Sequence, residues 1–455
     1  MANVKKAAEV DSALERLLGE RLMIRFKQAI RSAFLISILV QAVAAHAATY
    51  YVATTGSDAH TCDQAKAQNA PRLTIPAGVK CLSGGDTLII KAGTYISQGI
   101  LNPPAGTANA YTVIMGDPTE ARPILKPSST STQRGFYCDQ GSSCSFIEMR
   151  YLEVADAYGG VKLVGNTFFG HPHHVRIIDN IIHDTFDTGF FCTTSNTEYE
   201  GGDHLIQGNV FYNIGKQRPD YGPGTNVIYN PGNRTIIERN TFHNIINGIG
   251  IWHKDKYLQN VIVRSNVFYD VARLSIDSWQ VAGGSAVHVS VPGGGHQIYN
   301  NVVYRSGEAA SFTAFRINPQ FNAEKLASVH IYNNTIYNLL NPAASAISIR
   351  TSAQNVGGPH YIRNNIAYLA GNGIQNIGSH VATNNLTTNP SFTNPVNGDF
   401  RLLSGSSAID KGMALAIVPI DFAGVPRPQG GIYDIGAHEA GDGSTPVPPK
   451  GLSIH

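Results

Sequence analysis

Short apolar segments of this sequence carry side chains suited to an acidic sugar chain at equivalent positions. In the segment 248–254, Ile249 and Ile251 alternate with Gly250 and Trp252, which predicts a strand with the isoleucines inward and Trp252 outward. Later segments repeat the alternation and place a basic residue or a histidine outward. If these strands lie side by side, ~5 Å apart, the outward side chains form a line made of Trp252, His288, Arg316 and Arg350.

Such a line could bind a carboxylated sugar polymer and act on it. An indole offers an apolar surface to a sugar ring, and cations pair with its carboxylates. Removal of the proton next to a carboxylate needs a base and a positive charge that stabilises the enolate. We predict Lys254 or Arg316 as the base, with His288 and Arg350 neutralising charge. Trp252, Arg350 and Asn318 are the predicted substrate-binding residues, although any one of them alone is more often a solvated surface residue.

A repeat supplies the elements that must position these residues. Its best copy is Val261–Tyr269, with an Asn at the sixth position, an apolar residue three positions before it and usually another two positions after it. Subtracting successive Asn numbers gives 29, 31, 26, 35, 33 and 31, and a worn copy ends at Asn385. The repeated residues are Asn180, Asn209, Asn240, Asn266, Asn301, Asn334 and Asn365.

Three short strands per repeat predict an all-β fold, a right-handed parallel β-helix whose coils stack ~4.8 Å apart. Each Asn would then lie above the next and donate its amide to the neighbouring coil, and Asn also tolerates the left-handed turns required. We therefore give the Asn column a structural role. Leucine-rich repeats would need helical segments, and a propeller would need about four antiparallel strands per blade; neither pattern occurs.

Composition and organisation agree with a turn-rich β protein. The chain has 455 residues, of which 42% are hydrophobic and 15% charged, with a formal charge of +2. This charge argues against a general nucleic-acid binder. We predict an N-terminal cap with the first coils at 48–125, β-helix repeats at 126–390, a C-terminal closing segment at 391–439 and a flexible tail at 440–455.

The first 47 residues are typical of a secretory signal region, with a start possible at Met23. The apolar stretch Ala33–Ala44 precedes an Ala-His-Ala site, so cleavage is expected after Ala47; an uncleaved anchor is the alternative. The mature chain should be secreted, periplasmic or at the cell surface, monomeric and without a membrane span. Disulfides are then permitted, with Cys62, Cys81, Cys138 and Cys144 as candidates and Cys192 as a buried thiol.

Three features together resemble the secreted, pectate-lyase-like right-handed β-helix superfamily. They are the beginning Tyr50–Asp58 with Lys91–Tyr95, the Asn repeat, and an ending, Gly405–Asp410 with Asp434–Glu439, similar to that of bacterial surface or secreted β-helix proteins. The resemblance implies the fold over nearly all of the mature chain. It also implies that Lys or Arg commonly serves as the base.

The same resemblance extends to a Ca²⁺ site. Asp184 and Asp187 lie in a turn somewhat like the Asp-rich turn that binds Ca²⁺ in some β-helix lyases, although adjacent acids are missing. Two spaced carboxylates are few for a hard cation that takes 6–8 oxygens, and turn-capping is the usual role of such residues.

The fold itself hosts lyases, hydrolases, epimerases and non-catalytic adhesins. From the cation line we predict a polysaccharide lyase-like enzyme that acts on an acidic glycan by β-elimination. The first alternative is a non-catalytic β-helix protein for carbohydrate binding or surface attachment. The second is a glycoside hydrolase or epimerase of the same fold, although the carboxylate cluster that hydrolysis needs is not apparent.

Overall fold

The computed structural model describes residues 47–128, 133–139, 144–165, 170–194, 201–215, 225–245, 248–254, 258–272, 284–290, 293–318, 328–349, 358–375 and 380–441. The chain divides into units 1–47 and 48–455, and the elements below belong to the second. The predicted signal region before Ala47 and the end of the predicted tail, 442–455, lie outside the described residues.

Three parallel sheets run the length of the second unit, and successive coils contribute one strand to each sheet. Sheet A consists of Thr49–Val52, Thr87–Ile90, Thr112–Gly116, Ser145–Arg150, His173–Ile178, Leu205–Gln207, Ile236–Glu238, Ile262–Arg264, His296–Tyr299, Val329–Tyr332, His360–Arg363 and His380–Thr383.

Sheet B follows sheet A in each coil across the turn that carries the repeated Asn. Its strands are Thr94–Ile96, Ile124–Lys126, Glu153–Ala155, Ile181–His183, Val210–Tyr212, Thr241–Ile245, Val267–Val271, Val302–Tyr304, Thr335–Tyr337 and Ile366–Tyr368.

Sheet C completes the coil. Its strands are Ile100–Leu101, Arg134–Cys138, Gly159–Gly165, Phe190–Thr194, Thr225–Tyr229, Gly248–His253, Ser285–Val289, Thr313–Ile317, Ser345–Ile349 and Ile374–Gln375. The order of strands within each sheet follows the chain, so the all-β parallel β-helix predicted from the repeat is confirmed.

The strands form where apolar residues alternate, because alternate side chains point to opposite faces of a sheet. Ile251 and Val287 on sheet C are fully buried and occupy paired positions on adjacent coils. On sheet B, the rings of Phe211, Phe242 and Phe268 stack inside the coil with centroids 5.2 and 4.6 Å apart. The core is therefore a column of like side chains that continues from coil to coil.

The repeated Asn residues form the predicted ladder. The Asn209 amide donates to Asn240 Oδ1 at 3.0 Å, and the Asn240 amide donates to Asn266 Oδ1 at 3.0 Å. The same oxygens accept backbone N–H groups, and the ladder runs from Asn180 to Asn385. One detail of the prediction is wrong: the left-handed residue is the one before each ladder Asn, such as Arg239 with φ 54°. The ladder Asn can then turn its amide into the coil stack.

Residues 391–441 fold back over the corner between sheets A and B at the last coils. Phe400 packs against Tyr304 and Tyr337 on sheet B, with centroids 5.2 and 5.7 Å apart. Leu415 and Tyr433 of the closing segment form a buried cluster with Tyr299 and Tyr332, which are on sheet A. None of these clusters, and none of the hydrogen bonds that hold the segment, involves a described residue of sheet C.

A short hairpin, Phe392–Asn394 with Asp399–Leu402, and the 3₁₀ turn Pro395–Asn397 shape the closing segment. At the other end, a helix at Ile75–Val79 follows its N-cap Thr74, and a 3₁₀ turn spans Gln64–Lys66. Within the described residues, no helix is long and apolar enough to cross a bilayer.

All four cysteines predicted as disulfide candidates are paired. Disulfides join Cys62 to Cys81 and Cys138 to Cys144, and Cys192 is a buried thiol.

We expect Asn240→Ala to lower the free energy of unfolding by about 2–4 kcal/mol, because it orphans buried groups on both neighbouring coils. Asn240 accepts from the Asn209 backbone and amide, and it donates to Ile206 O and to Asn266. Denaturant unfolding of the variant measures this loss. Asn109→Ala, at an exposed turn, is the control; equal losses in both variants would contradict a ladder role.

Arg427→Met tests how the closing segment is held. The Arg427 guanidinium donates to Glu439 and to the carbonyl of Gly436, and both charged side chains are 0–1% exposed. Removing the cation leaves a buried carboxylate unpaired, which costs about 3–5 kcal/mol. Arg401→Met removes a similar but exposed pair with Asp399 and should cost about 1 kcal/mol or less. Thermal unfolding followed by circular dichroism separates the two outcomes.

Candidate functional site

One outward column of side chains runs along sheet C, and the strand pairing fixes its order. Each member is the Cα partner of the next, so neighbours lie about 4.8 Å apart along the helix axis. We call this set the sheet C column. From the N-terminal coil onward it consists of Leu101, Tyr137, Lys162, Phe191, Tyr229, Trp252, His288, Arg316, Ser348 and Gln375.

The predicted line of Trp252, His288 and Arg316 is present as three successive members of this column. Arg350, the predicted fourth member, is not the partner of Arg316; Ser348 takes that place. The alternation explains the error, because the outward residue between inward Ile347 and Ile349 is Ser348. Arg350 itself lies outside the described residues.

A second outward position lies two residues further along each strand. Lys254 and Asn318 are there, with Ser290 between them on the intervening coil. The Lys254 backbone N–H donates to Asn230 Oδ1 at 2.9 Å, and the Asn318 N–H donates to Val289 O at 2.9 Å. Both predicted residues therefore flank the sheet C column.

Trp252 is half-buried and held by three neighbours. Its ring stacks on His288 with centroids 5.5 Å apart and planes within 4°. The Lys254 ammonium lies 4.8 Å from the centre of the indole, and the indole N–H donates to Ser290 Oγ at 2.8 Å. One face of the indole is covered by His288, and on the other neighbouring coil Tyr229 meets the ring at 62° with centroids 5.6 Å apart. The face stacked on His288 is therefore not available to a sugar ring. The clearest role of the indole is to position the lysine.

His288 cannot neutralise a substrate carboxylate in the way the sequence suggested. The side chain is 4% exposed, and burial lowers its pKa to about 3. Neither ring nitrogen has a hydrogen-bond partner among the described residues. The imidazole is therefore neutral at ordinary pH and serves as a ring between Trp252 and the next coil.

Arg316 supplies a fixed positive charge. It is 8% exposed, and its guanidinium donates to the carbonyl of Ser311 and, at 3.4 Å, to Thr313 Oγ1. A guanidinium stays protonated in proteins, so this environment suits charge stabilisation better than proton abstraction. Lys254 is half-buried, and its Nζ lies over the Trp252 and Tyr229 rings. Of the two predicted bases it is the better suited, because a lysine can act as a general base whereas a guanidinium stays protonated.

The two predicted metal ligands have different partners. Asp184 accepts from Asn213 at 3.0 Å and lies 2.7 Å from His183 Nδ1, whereas Asp187 faces Arg134 at 3.8 Å. No group of three or more potential ligand side chains that could hold a metal ion occurs among the described residues. The arrangement does not fit the predicted Ca²⁺ site, since a hard cation needs several converging oxygens.

Sequence reasoning missed the N-terminal half of the sheet C column. Lys162 lies between Tyr137 and Phe191, with its Nζ 5.8 and 5.5 Å from the ring centres. Val161 and Leu163 on either side are fully buried. That alternation could have revealed Lys162 as an outward residue had the strand at Gly159–Gly165 been included among the predicted strands.

The buried histidines predict a loss of stability in acid. Burial lowers the pKa of His204 and His288 to about 3 and that of His296 to about 4, against about 6.5 in an unfolded chain. Below pH 6.5 the unfolded chain binds protons that the folded chain does not. Their stabilisation is therefore complete above about pH 6.5 and is lost as the pH falls towards about 3.

His288→Phe keeps a ring against Trp252 and removes one of these titrating groups. We expect its thermal unfolding midpoint to fall less steeply than that of the parent protein between pH 6.5 and 4. Scanning calorimetry across this range measures the slope. Parallel curves for the two proteins would mean that His288 is not held neutral by the fold.

No protein-family model matches the sequence, and no curated protein matches it. Solved structures do match its fold. Pectate lyase Pel9A aligns with a TM-score of 0.58 and 17% identity over 86% of this chain and 96% of that one. A rhamnogalacturonan lyase aligns with a TM-score of 0.55 and 15% identity over 83% of this chain and 99% of that one. XylC in complex with xylose aligns with a TM-score of 0.51 and 11% identity over 86% of this chain and 98% of that one. The chain therefore has the right-handed parallel β-helix fold of the pectate-lyase-like proteins.

Proposed function

We propose that this chain is a secreted enzyme that cleaves an acidic, uronate-containing polysaccharide by β-elimination. The observation that carries the proposal is the sheet C column, in which Trp252, His288 and Arg316 are successive members and Lys254 lies over the indole. The described contacts of the closing segment are with sheets A and B and not with sheet C. Trp252 and Lys254 are half-buried, whereas His288 and Arg316 are only 4% and 8% exposed. A polyanionic chain would lie along the helix axis, where Lys254 and Arg316 lie on coils that are two steps apart.

In the proposed reaction, the neutral amine of Lys254 takes the proton on the carbon next to the uronate carboxylate. The electron pair of the broken C–H bond forms a carbon–carbon double bond, and the glycosidic oxygen leaves with the electrons of its bond to carbon. That oxygen takes a proton from solvent water to give a new chain end, and Lys254 later returns the proton it removed to solvent. Arg316 stabilises the negative charge that develops on the carboxylate during proton removal. Trp252 positions the lysine, whose Nζ lies 4.8 Å from the centre of the indole.

The structural comparisons support the substrate class. Two proteins with this fold are named as lyases, of pectate and of rhamnogalacturonan. Since the fold hosts several activities, we infer lyase chemistry from Lys254 and Arg316 and not from the fold. The predicted signal region and cleavage after Ala47 support a secreted location, and we propose that the mature chain acts as a monomer.

The second candidate is a glycan-binding protein without catalysis. His288 is neutral and Arg316 is held by its own loop, so Lys254 is the one predicted base with a suitable environment. A face with the fixed Arg316 guanidinium and one lysine positioned over the indole could bind an acidic glycan without cleaving it.

A substrate screen decides between these two functions, and Lys254→Met then tests the base on any substrate that is cleaved. Pectate, alginate and glycosaminoglycans are offered with and without Ca²⁺, and the absorbance of the unsaturated uronate product is followed. We expect the variant to lose about 10²–10⁴-fold in kcat, the range for a removed general base. Lys126→Met, which breaks a sheet B pair with Asp156, is the matched control and should retain activity.

Full activity in the Lys254 variant would remove this residue as the base. Absence of product from every substrate, with binding retained, would favour the glycan-binding function.

A further inference from the structure

A second cationic centre lies on the sheet C column, several coils before Trp252. The half-buried Lys162 ammonium lies between the Tyr137 and Phe191 rings, 5.8 and 5.5 Å from their centres. Lys162 forms no hydrogen bond or ion pair with a described residue. Its surroundings therefore supply ring faces on two coils but no carboxylate in direct contact with the ammonium among the described residues.

Arg134 adds a second positive charge to this centre. It is 8% exposed, and its guanidinium carbon lies 5.6 Å from the Tyr137 ring centre and 4.8 Å from that of Tyr158. Asp187 lies 3.8 Å from Arg134 and is the acidic group that acts on both cations. Among the described residues, this centre therefore contains two cationic side chains and one carboxylate.

The environment of Lys162 opposes an isolated charge. Burial, followed by repulsion from Arg134, lowers the pKa of Lys162. A desolvated ammonium is costly unless an anion pairs with it. The two rings compensate in part by cation–π attraction. A carboxylate supplied by a ligand would complete the compensation, whereas a neutral ligand would not.

We propose that Lys162, assisted by Arg134, is a second carboxylate-binding centre, and that one uronate chain spans it and the Lys254–Arg316 centre. This inference rests on the proposed function only in taking an acidic glycan as the ligand. It does not require that the glycan be cleaved. Lys162 and Trp252 are three coil steps apart, through Phe191 and Tyr229. That separation is roughly 14 Å at about 4.8 Å per coil. The ligand is therefore an extended oligomer that lies along the helix axis and carries carboxylates at both ends of the span.

The test measures affinity against chain length by calorimetry at constant ionic strength. Oligogalacturonates and oligoalginates of two to eight units are titrated into the protein and into Lys162→Met, with neutral oligosaccharides of equal length alongside. We expect the longest uronates to lose about tenfold in affinity in the variant, the effect of one lost charged contact. A uronate dimer is too short to reach both centres. Dimers bound at the Lys254–Arg316 centre should therefore lose much less affinity in Lys162→Met than the longest uronates do. Lys162→Arg should retain the affinity, and Lys126→Met is the control for a lost charge elsewhere.

Equal affinity of the parent and Lys162→Met for the longest uronates would overturn the proposal, and so would equal binding of neutral oligomers. A loss that is the same at every length would also contradict a spanning chain. If no glycan is cleaved but the length-dependent loss is found, the second centre stands and the lyase function falls. If a glycan is cleaved and Lys162→Met binds the longest uronates as tightly as the parent protein does, the lyase function stands and the second centre falls.

Discussion

The registration of each coil on the next is the constraint on which the rest of this structure depends. A single column of buried Asn side chains fixes it, because every amide bonds to the next one and to a backbone carbonyl of the preceding coil. A slip of one residue would turn every inward side chain outward. The ladder opposes such a slip at the turn between sheets A and B, where both strands are short and carry few bonds of their own.

Once the coils are registered, residues far apart in sequence become permanent neighbours, and this governs the chemistry of sheet C. Planar side chains on successive coils lie in contact, and their angles differ: Trp252 stacks face to face on His288, whereas Tyr229 meets Trp252 at 62°. Stacking on His288 covers one face of the indole. Long cationic side chains behave differently, since Lys162 and Lys254 can lie over a ring and keep the ammonium near the surface. The reactive groups of this face are therefore its lysines, held by aromatic neighbours.

The residue one position before each ladder Asn decides which faces of the β-helix the closing segment covers. In the later coils these residues are Asn300, Asn333 and Asn364, all in the left-handed conformation. Their amides donate to carbonyls of the closing segment, at Ile420, Asp434 and Met413. In earlier coils the same position holds other residues, such as Asp179 and Arg239. The doubled Asn thus marks the coils on which the segment docks, and the docking is directed to sheets A and B.

The sequence alone determined the coil. The spacing of Asn209, Asn240 and Asn266 and the alternation around Ile251 were sufficient, because both reflect local periodicity that the backbone must obey. Tertiary structure decided what each side chain can do. Burial removed the charge of His288, a two-residue offset put Ser348 where Arg350 was expected, and Asp184 and Asp187 found separate protein partners. Charge, desolvation and ring contacts depend on neighbours one coil away, about 30 residues distant in sequence, and no local pattern specifies them.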